Sequence, residues 1–343
     1  MLLVEDARHF VGALRSVSRS PVAYAELPGA QHSFNIIALQ HFAAGAGFST
    51  GLQYVVFAAI GIGFAVKVPM WPVHTWLPDA HTEAPTVGSV LLAGVMLKMG
   101  TYGFVQIALP LLPQAARVYA PWIGLLAAIA IVWAALCCLA QKDLKRLIAY
   151  SSVGHMGFVM LGVATLTTIG INAAIFGMVA HGVITGMLFF VVGSMYDRYH
   201  TRQIADIGGG VMQKIPRMGA ILAFVSIASL GLPGLAGFWG EVMSLLSSYG
   251  PNPVLNAGLF RGFMIAGGIG TVLTAGYFLW MLQRVNLGTL PERWKSASFG
   301  DIVTIEWLAW TPLLVLILVL GLYPRVIFGV TTDAVNGLVR VLL

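Results

Sequence analysis

From residue 51 to residue 324 the sequence is a succession of apolar runs long enough to cross a lipid bilayer, joined by short polar connections. About 20 apolar residues suffice for one helical crossing. The runs fall at 51–77, 86–109, 118–139, 146–166, 170–195, 218–248, 258–284 and 303–324. Inside hydrocarbon every backbone N–H and C=O must be satisfied by the protein itself, and runs of this length do so as helices. The chain therefore reads as an all-α polytopic membrane protein with about eight transmembrane helices. Only 9% of its residues are charged and 58% are hydrophobic, which argues against a sizeable soluble domain. Residues 1–50 are mixed in polarity and read as an N-terminal surface segment, with FNIIALQHFAAGAGF as a short interfacial piece. Residues 51–328 form the membrane domain and 329–343 a C-terminal tail. MLLVEDARHF has acids where a signal peptide carries its basic region.

The net charge of +6 comes from basic residues scattered over loops. With no basic stripe, nucleic acid is not the expected partner. Lys142, Lys145, Arg146, Arg198, Arg202, Lys214, Arg217, Arg284, Arg293 and Lys295 fall in one alternating set of connections. Only Arg117, Arg261, Arg325 and Arg340 fall in the other, which places the first set in the cytoplasm. LPDAHTEAP then turns on the cytoplasmic side, whereas Arg8, Arg15 and Arg19 lie outside, against the rule.

Against this background Lys67 and Lys98 stand out, because both lie within apolar runs. An ionised side chain at the membrane centre costs roughly 2.5 to 3.5 kcal/mol, so it is turned toward a partner, a wet cavity or an ion route. The two are 31 residues apart with LPDAHTEAP midway, so an antiparallel hairpin puts them at similar depth. At roughly 1.5 Å per residue that depth is near the midplane. A structural lysine donating to freed carbonyls is the alternative reading.

Two runs also carry helix breakers at depth: Pro69, Pro72 and Pro78 come after Lys67, and GLPG spans Gly231 to Gly234. Proline removes a donor and clashes with the preceding turn. Two interrupted spans point to an inverted-repeat transporter with its ion route beside the breaks; ordinary proline kinks are the alternative. His155 and His181 each stand thirteen residues from the turn at Thr168, so two imidazoles share one membrane level. Histidine suits proton transfer at physiological pH. Glu241 is the one acid well inside a predicted span, on the half of the second broken helix away from the cytoplasm. A carboxylate there can load and release a proton. Lys98, Lys67, His155, His181 and Glu241 are thus the candidate residues for proton translocation.

Other residues read more plainly. His74 and His81 flank the loop after the first break and are candidates for the proton intake, with simple hydration beside Asp79 and Glu83 the plainer expectation; Trp71, Trp76 and Trp239 pack or anchor at the interface. Cys137 and Cys138 are adjacent and form neither a disulfide framework nor a metal site. No nucleotide loop, flavin motif or iron–sulfur cysteine set occurs, so no cofactor is expected in this chain.

The segments FAVKVPMWPVHTWLPDAHTEAPTVGSVLLAGVMLKMGTYGF, KRLIAYSSVGHMGFVMLG, MVAHGVITGMLFFVVG and LGLPGLAGFWGE resemble the antiporter-like membrane subunits of respiratory complex I, NADH:quinone oxidoreductase. The wording is similar to the subunit M branch, and Glu241 agrees, because subunits L and N usually carry a lysine there. The resemblance covers about residues 50–328. It implies a partial antiporter-like inverted-repeat fold: the end of the first repeat, all of the second and the final helix. On this likeness the chain is an N-terminally shortened member, and residues 1–50 supply no counterpart of the glutamate that pairs with the lysine matching Lys67. The resemblance further implies Lys67 on the first broken helix, Lys98 as central lysine, His155 and His181 as connecting histidines and Glu241 as terminal group. NADH, flavin, iron–sulfur clusters and quinone are then expected on partner subunits. The expected partners are neighbouring antiporter-like and other membrane subunits of complex I, and the lipid of a bacterial-type plasma membrane. Two other readings stand beside this one, a cation/proton antiporter subunit and a non-conducting structural subunit.

Overall fold

The computed structural model describes residues 35–45 and 47–343. The expectations for the first 34 residues, including the placement of Arg8, Arg15 and Arg19, lie outside the described residues. Among those described, the regular secondary structure is helical. A short helix α1 (Ile36–Ala44), capped by the Asn35 side chain, occupies the predicted interfacial piece.

The first crossing is broken where the prolines stand. Helix α2 (Thr50–Lys67) ends at Lys67, an irregular stretch intervenes, and α3 (Trp76–Glu83) resumes the path. The expected turn LPDAHTEAP is therefore mostly helix, and the turn itself contracts to Ala84 and Pro85. Pro78 is tolerated because it sits in the first turn of α3, where its missing N–H has no helical partner to lose. Carbonyls freed at the break are satisfied by protein, as the membrane requires. Trp76 Nε1 donates to Val66 O at 2.9 Å. At the other end of α3, Arg202 donates to Thr82 O and Lys145 to Ala84 O at 2.5 and 2.6 Å. These cations also suit the negative end of the half-helix dipole.

Helix α4 (Thr86–Leu111) contains two π-turns, at Leu92–Met96 and Phe104–Ala108. Helix α5 (Pro113–Leu139) starts on a proline, and α6 (Leu144–Ala164) on an Asp143 cap whose carboxylate accepts from Lys145 N and Arg146 N. Thr167 caps the long helix α7 (Thr168–Tyr199). The second broken crossing comprises α8 (Pro216–Ser229) and α9 (Ala236–Tyr249), separated at Gly231 and Gly234, both at positive φ. Helices α10 (Ala257–Val285) and α11 (Thr304–Leu322) complete the crossings. Among the described residues, seven helices are by themselves long and apolar enough to cross a membrane. The α8–α9 pair adds an eighth path, as the sequence indicates, and the chain is an integral membrane protein.

Helix α6 lies at the centre, enclosed along nearly all its length by α5, α7, α9, α10 and α3. Arginine paired with an aromatic ring marks helix ends: Arg284 stacks on Trp280, and Arg261 on Tyr249. The basic connections converge at one end of the bundle. Asp143 pairs with Arg202 and forms a β-bridge to Gln203. Asp301 caps α8 through Arg217 N and Met218 N, and Arg198 holds Glu306 of α11. At the opposite end the segment read as a tail is the amphipathic helix α12 (Arg325–Leu342). Val335 and Leu342 are buried, and Thr331 and Asn336 bond to Asn172 and Thr168 of α7.

Candidate proton path

Four of the five predicted residues meet in one line across four helices. Lys98 Nζ on α4 stands 2.6 Å from His181 Nδ1 on α7. The rings of His181 and His155 on α6 are 5.8 Å apart, and His155 Nδ1 lies 2.8 Å from Glu241 Oε1 on α9. His181 and Glu241 are buried; Lys98 and His155 are nearly so.

The local fold explains how each side chain arrives. The π-turn at Leu92–Met96 spoils one turn of helical bonding just before Lys98, and the Lys98 ammonium donates back to Ala93 O within it. Such turns recur at functional sites because they release a carbonyl and rotate the residues beyond them. Helices α4 and α7 touch through backbone: a Cβ on Gly182 would lie 2.8 Å from Gly94 O. That contact carries Lys98 to its neighbour's histidine. Helices α7 and α9 meet the same way, since a Cβ on Gly240 would lie 2.8 Å from Gly177 Cα. Glu241 stands one residue beyond the contact.

Neither backbone at the Gly177–Gly240 contact can yield to a side chain, and overpacking a tight contact costs about 1–3 kcal/mol or more. Gly240→Leu should therefore yield little monodisperse protein on size exclusion in detergent. Gly276→Leu, on α10 with open space around its Cβ position, should elute like the unaltered chain.

Glu241 and His155 belong to a small polar centre with unspent bonding capacity. Ser229 Oγ, at the end of α8, stands 3.0 Å from His155 Nε2. The two halves of the broken crossing thus grip one imidazole, Ser229 at one nitrogen and Glu241 at the other. The second carboxylate oxygen, Glu241 Oε2, lies where a Cβ on Gly231 would be 3.0 Å away. Glu241 Oε2, His181 Nε2 and Thr185 Oγ1 are buried with no protein hydrogen-bond partner. A cavity of ≈ 30 Å³ is bordered by His155, His181, Thr185, Ser229 and Glu241.

Lys67 stands beside this line at the end of α2, half-buried, with Gly100 packed on its Cβ. Gly100 is two residues past Lys98, so the two lysines do share a level. His81, expected to be hydrated, is instead wholly buried and stacked on Phe189, ring centroids 4.3 Å apart. It is buried because α3 is a helix directed inward rather than a solvated loop, and it lies within electrostatic range of Lys98 and Lys145. His74 is buried as well. Trp239 donates to Gly321 O and so fastens α9 to α11. Sequence reading missed Ser229 and Thr185, though Thr185 stands one turn beyond His181 on the same helix face. Among the described residues no cluster of His, Cys, Asp or Glu has the makings of a metal site, and Cys137 and Cys138 are free. The stem of Lys98 also borders an apolar groove of ≈ 790 Å³ between α4, α7 and α11.

The chain is also similar to known proteins. Residues 24–269 match the family described as NADH:quinone oxidoreductase/Mrp antiporter, transmembrane. NADH-quinone oxidoreductase subunit M of Rhodobacter capsulatus is 45% identical over 290 residues, 84% of this chain and 55% of the relative. NADH-ubiquinone oxidoreductase chain 4 of Chondrus crispus is 44% identical over 81% of this chain and 54% of the relative. The chain thus spans little more than half the length of these relatives. A chain of respiratory complex I from Thermus thermophilus superposes with a TM-score of 0.85 at 27% identity, over 100% of this chain and 68% of that one. A chain of the Mrp complex from Dietzia sp. DQ12-45-1b shares the fold, with a TM-score of 0.75 at 18% identity over 100% of this chain and 71% of that one. With its residues 24–269 matching the family model and relatives at 44–45% identity over more than four-fifths of its length, the chain belongs to the NADH:quinone oxidoreductase/Mrp antiporter family of membrane proteins.

Proposed function

We propose that the chain is a membrane subunit of a complex I-type NADH:quinone oxidoreductase, in a bacterial plasma membrane, and that it translocates protons while other subunits carry out the redox chemistry. The observation that carries this reading is the line from Lys98 through the histidine pair to Glu241, buried or nearly so along its length. Every group in it can hold a proton, and the contacts at its two ends are short. Lys98 receives a proton from the cytoplasmic side, where His81 and Lys145 lie. Glu241 releases it outward along α9. NADH, flavin, iron–sulfur clusters and quinone belong to partner subunits, and neighbouring antiporter-like subunits flank this chain. The subunit M branch is favoured by relatives of that name that match over most of the chain.

The test is made in native membranes. The chain should co-migrate with NADH-oxidising activity on native gels, and inverted vesicles should take up protons when NADH is added. Proton exchange that needs sodium and proceeds without NADH would instead assign it to an antiporter.

A further inference from the structure

Resting on that reading, we infer that the proton passes from His181 to Glu241 through a water held in the cavity between them, and that His155 positions the carboxylate instead of carrying the proton. Both nitrogens of His155 are engaged by side chains, Nδ1 by Glu241 Oε1 at 2.8 Å and Nε2 by Ser229 Oγ at 3.0 Å. A relay through this ring would have to break one of these bonds in every cycle. His181 differs: Nδ1 meets Lys98, while Nε2 is buried, unpartnered and borders the cavity. The unpartnered Glu241 Oε2 and Thr185 Oγ1 belong to residues bordering the same cavity.

The space suits the occupant. A cavity of ≈ 30 Å³ exceeds the 10–15 Å³ or so that one water requires, and a buried water typically makes about three hydrogen bonds. His181 Nε2–H donates to it, the water donates to Glu241 Oε2, and the Thr185 hydroxyl supplies the third contact. The transfer then balances: Lys98 gives a proton to His181 Nδ1, the imidazolium releases its Nε2 proton to the water, and the water passes one to the Glu241 carboxylate. His181 is left as the other tautomer and must reset before the next cycle. Ser229 and His155 are positioning residues that fix Oε1 and so aim Oε2 at the water. Thr185 positions the water.

The experiment measures NADH-driven proton uptake by inverted vesicles carrying the full assembled complex, reading the part that depends on Lys98. Asparagine at position 155 places its amide nitrogen where Nδ1 stands, so His155→Asn still donates to Glu241 yet cannot relay. It should keep this flux within about fivefold of the unaltered protein, the range of one neutral hydrogen bond. His155→Leu, which frees the carboxylate, should lose more, and His181→Gln about 100-fold, the scale of a lost acid–base group. Thr185→Val should lower the flux by about tenfold and Thr185→Ser restore it. If His155→Asn is as inactive as His155→Leu and His181→Gln, the proton travels through His155 and the inference is overturned. Should His155→Asn not assemble, the threonine pair decides: unchanged flux in Thr185→Val overturns it equally. Absence of NADH-linked uptake in the unaltered protein would be a failure of the functional reading and not of the route alone.

Discussion

If the chain translocates protons as proposed, replacing Lys98 with methionine should abolish its share of NADH-driven proton uptake while leaving it folded in the membrane. On the proposed route the ammonium is the cation between the entry side and the histidine pair, 2.6 Å from His181 Nδ1. Removing a proton-transfer group of this kind lowers a rate by about 10²- to 10⁴-fold. Stability is less affected because two effects oppose each other. Methionine fills similar volume and removes the desolvation cost of a charge at depth, roughly 2.5 to 3.5 kcal/mol on insertion scales. Against this, Ala93 O and His181 Nδ1 lose a donor, each worth about 1–3 kcal/mol when left buried and unsatisfied. Lys98→Arg separates a proton carrier from a fixed charge, since guanidinium keeps its proton throughout the physiological range. It should be as inactive as Lys98→Met. Normal protons moved per NADH in Lys98→Met, in an assembled complex, would remove this chain from the pumping machinery.

The crossings and the central residues are legible in the sequence for one physical reason: each contradicts its surroundings. Lys98, His181 and Glu241 are polar where the chain is otherwise apolar, and GLPG interrupts a run that would otherwise be a helix. The features that escaped are those whose local chemistry looks ordinary. Trp76–Glu83 combines a proline with two acids and resembles a loop, but its proline falls in the one turn that tolerates it, and cations of α6 and the 200–203 loop cap its far end. The burial of His81 is a consequence of that helix and could not be foreseen without it. Helix α12 was legible by period: Phe328, Thr331, Val335, Leu338 and Leu342 recur at helical spacing. Its composition, more polar than that of a crossing, does not mark it as a span. The π-turns of α4 leave no mark in residue type, because they answer to packing against α7 and α2 and not to propensity. Ser229 and Thr185 were silent for a related reason. Hydroxyls are common in helices, and only the fold shows which of them face a carboxylate and two imidazoles.

The geometry also fixes the expected behaviour at the far end of the line. Glu241→Gln keeps the shape of the side chain, its place over Gly231 and an oxygen to accept from His155 Nδ1, so the fold should persist. The capacity to take up a proton is lost, and the flux through this chain should fall as far as in Lys98→Met. On the proposed route the two groups stand in series, so the loss is not additive. Once either end is closed, closing the other removes nothing further, as for groups that act as one unit. The double variant Lys98→Met with Glu241→Gln should therefore match the more severe single variant. Independent sites would instead sum, as residues without shared partners do. Glu241→Asp makes the intermediate case: it keeps an ionisable group but draws it back from His155 and the cavity, and its flux should lie between the unaltered protein and Glu241→Gln. An additive double variant, or an aspartate no better than the glutamine, would mean that Glu241 acts through its fixed charge on the field around Lys98 and not by receiving the proton itself.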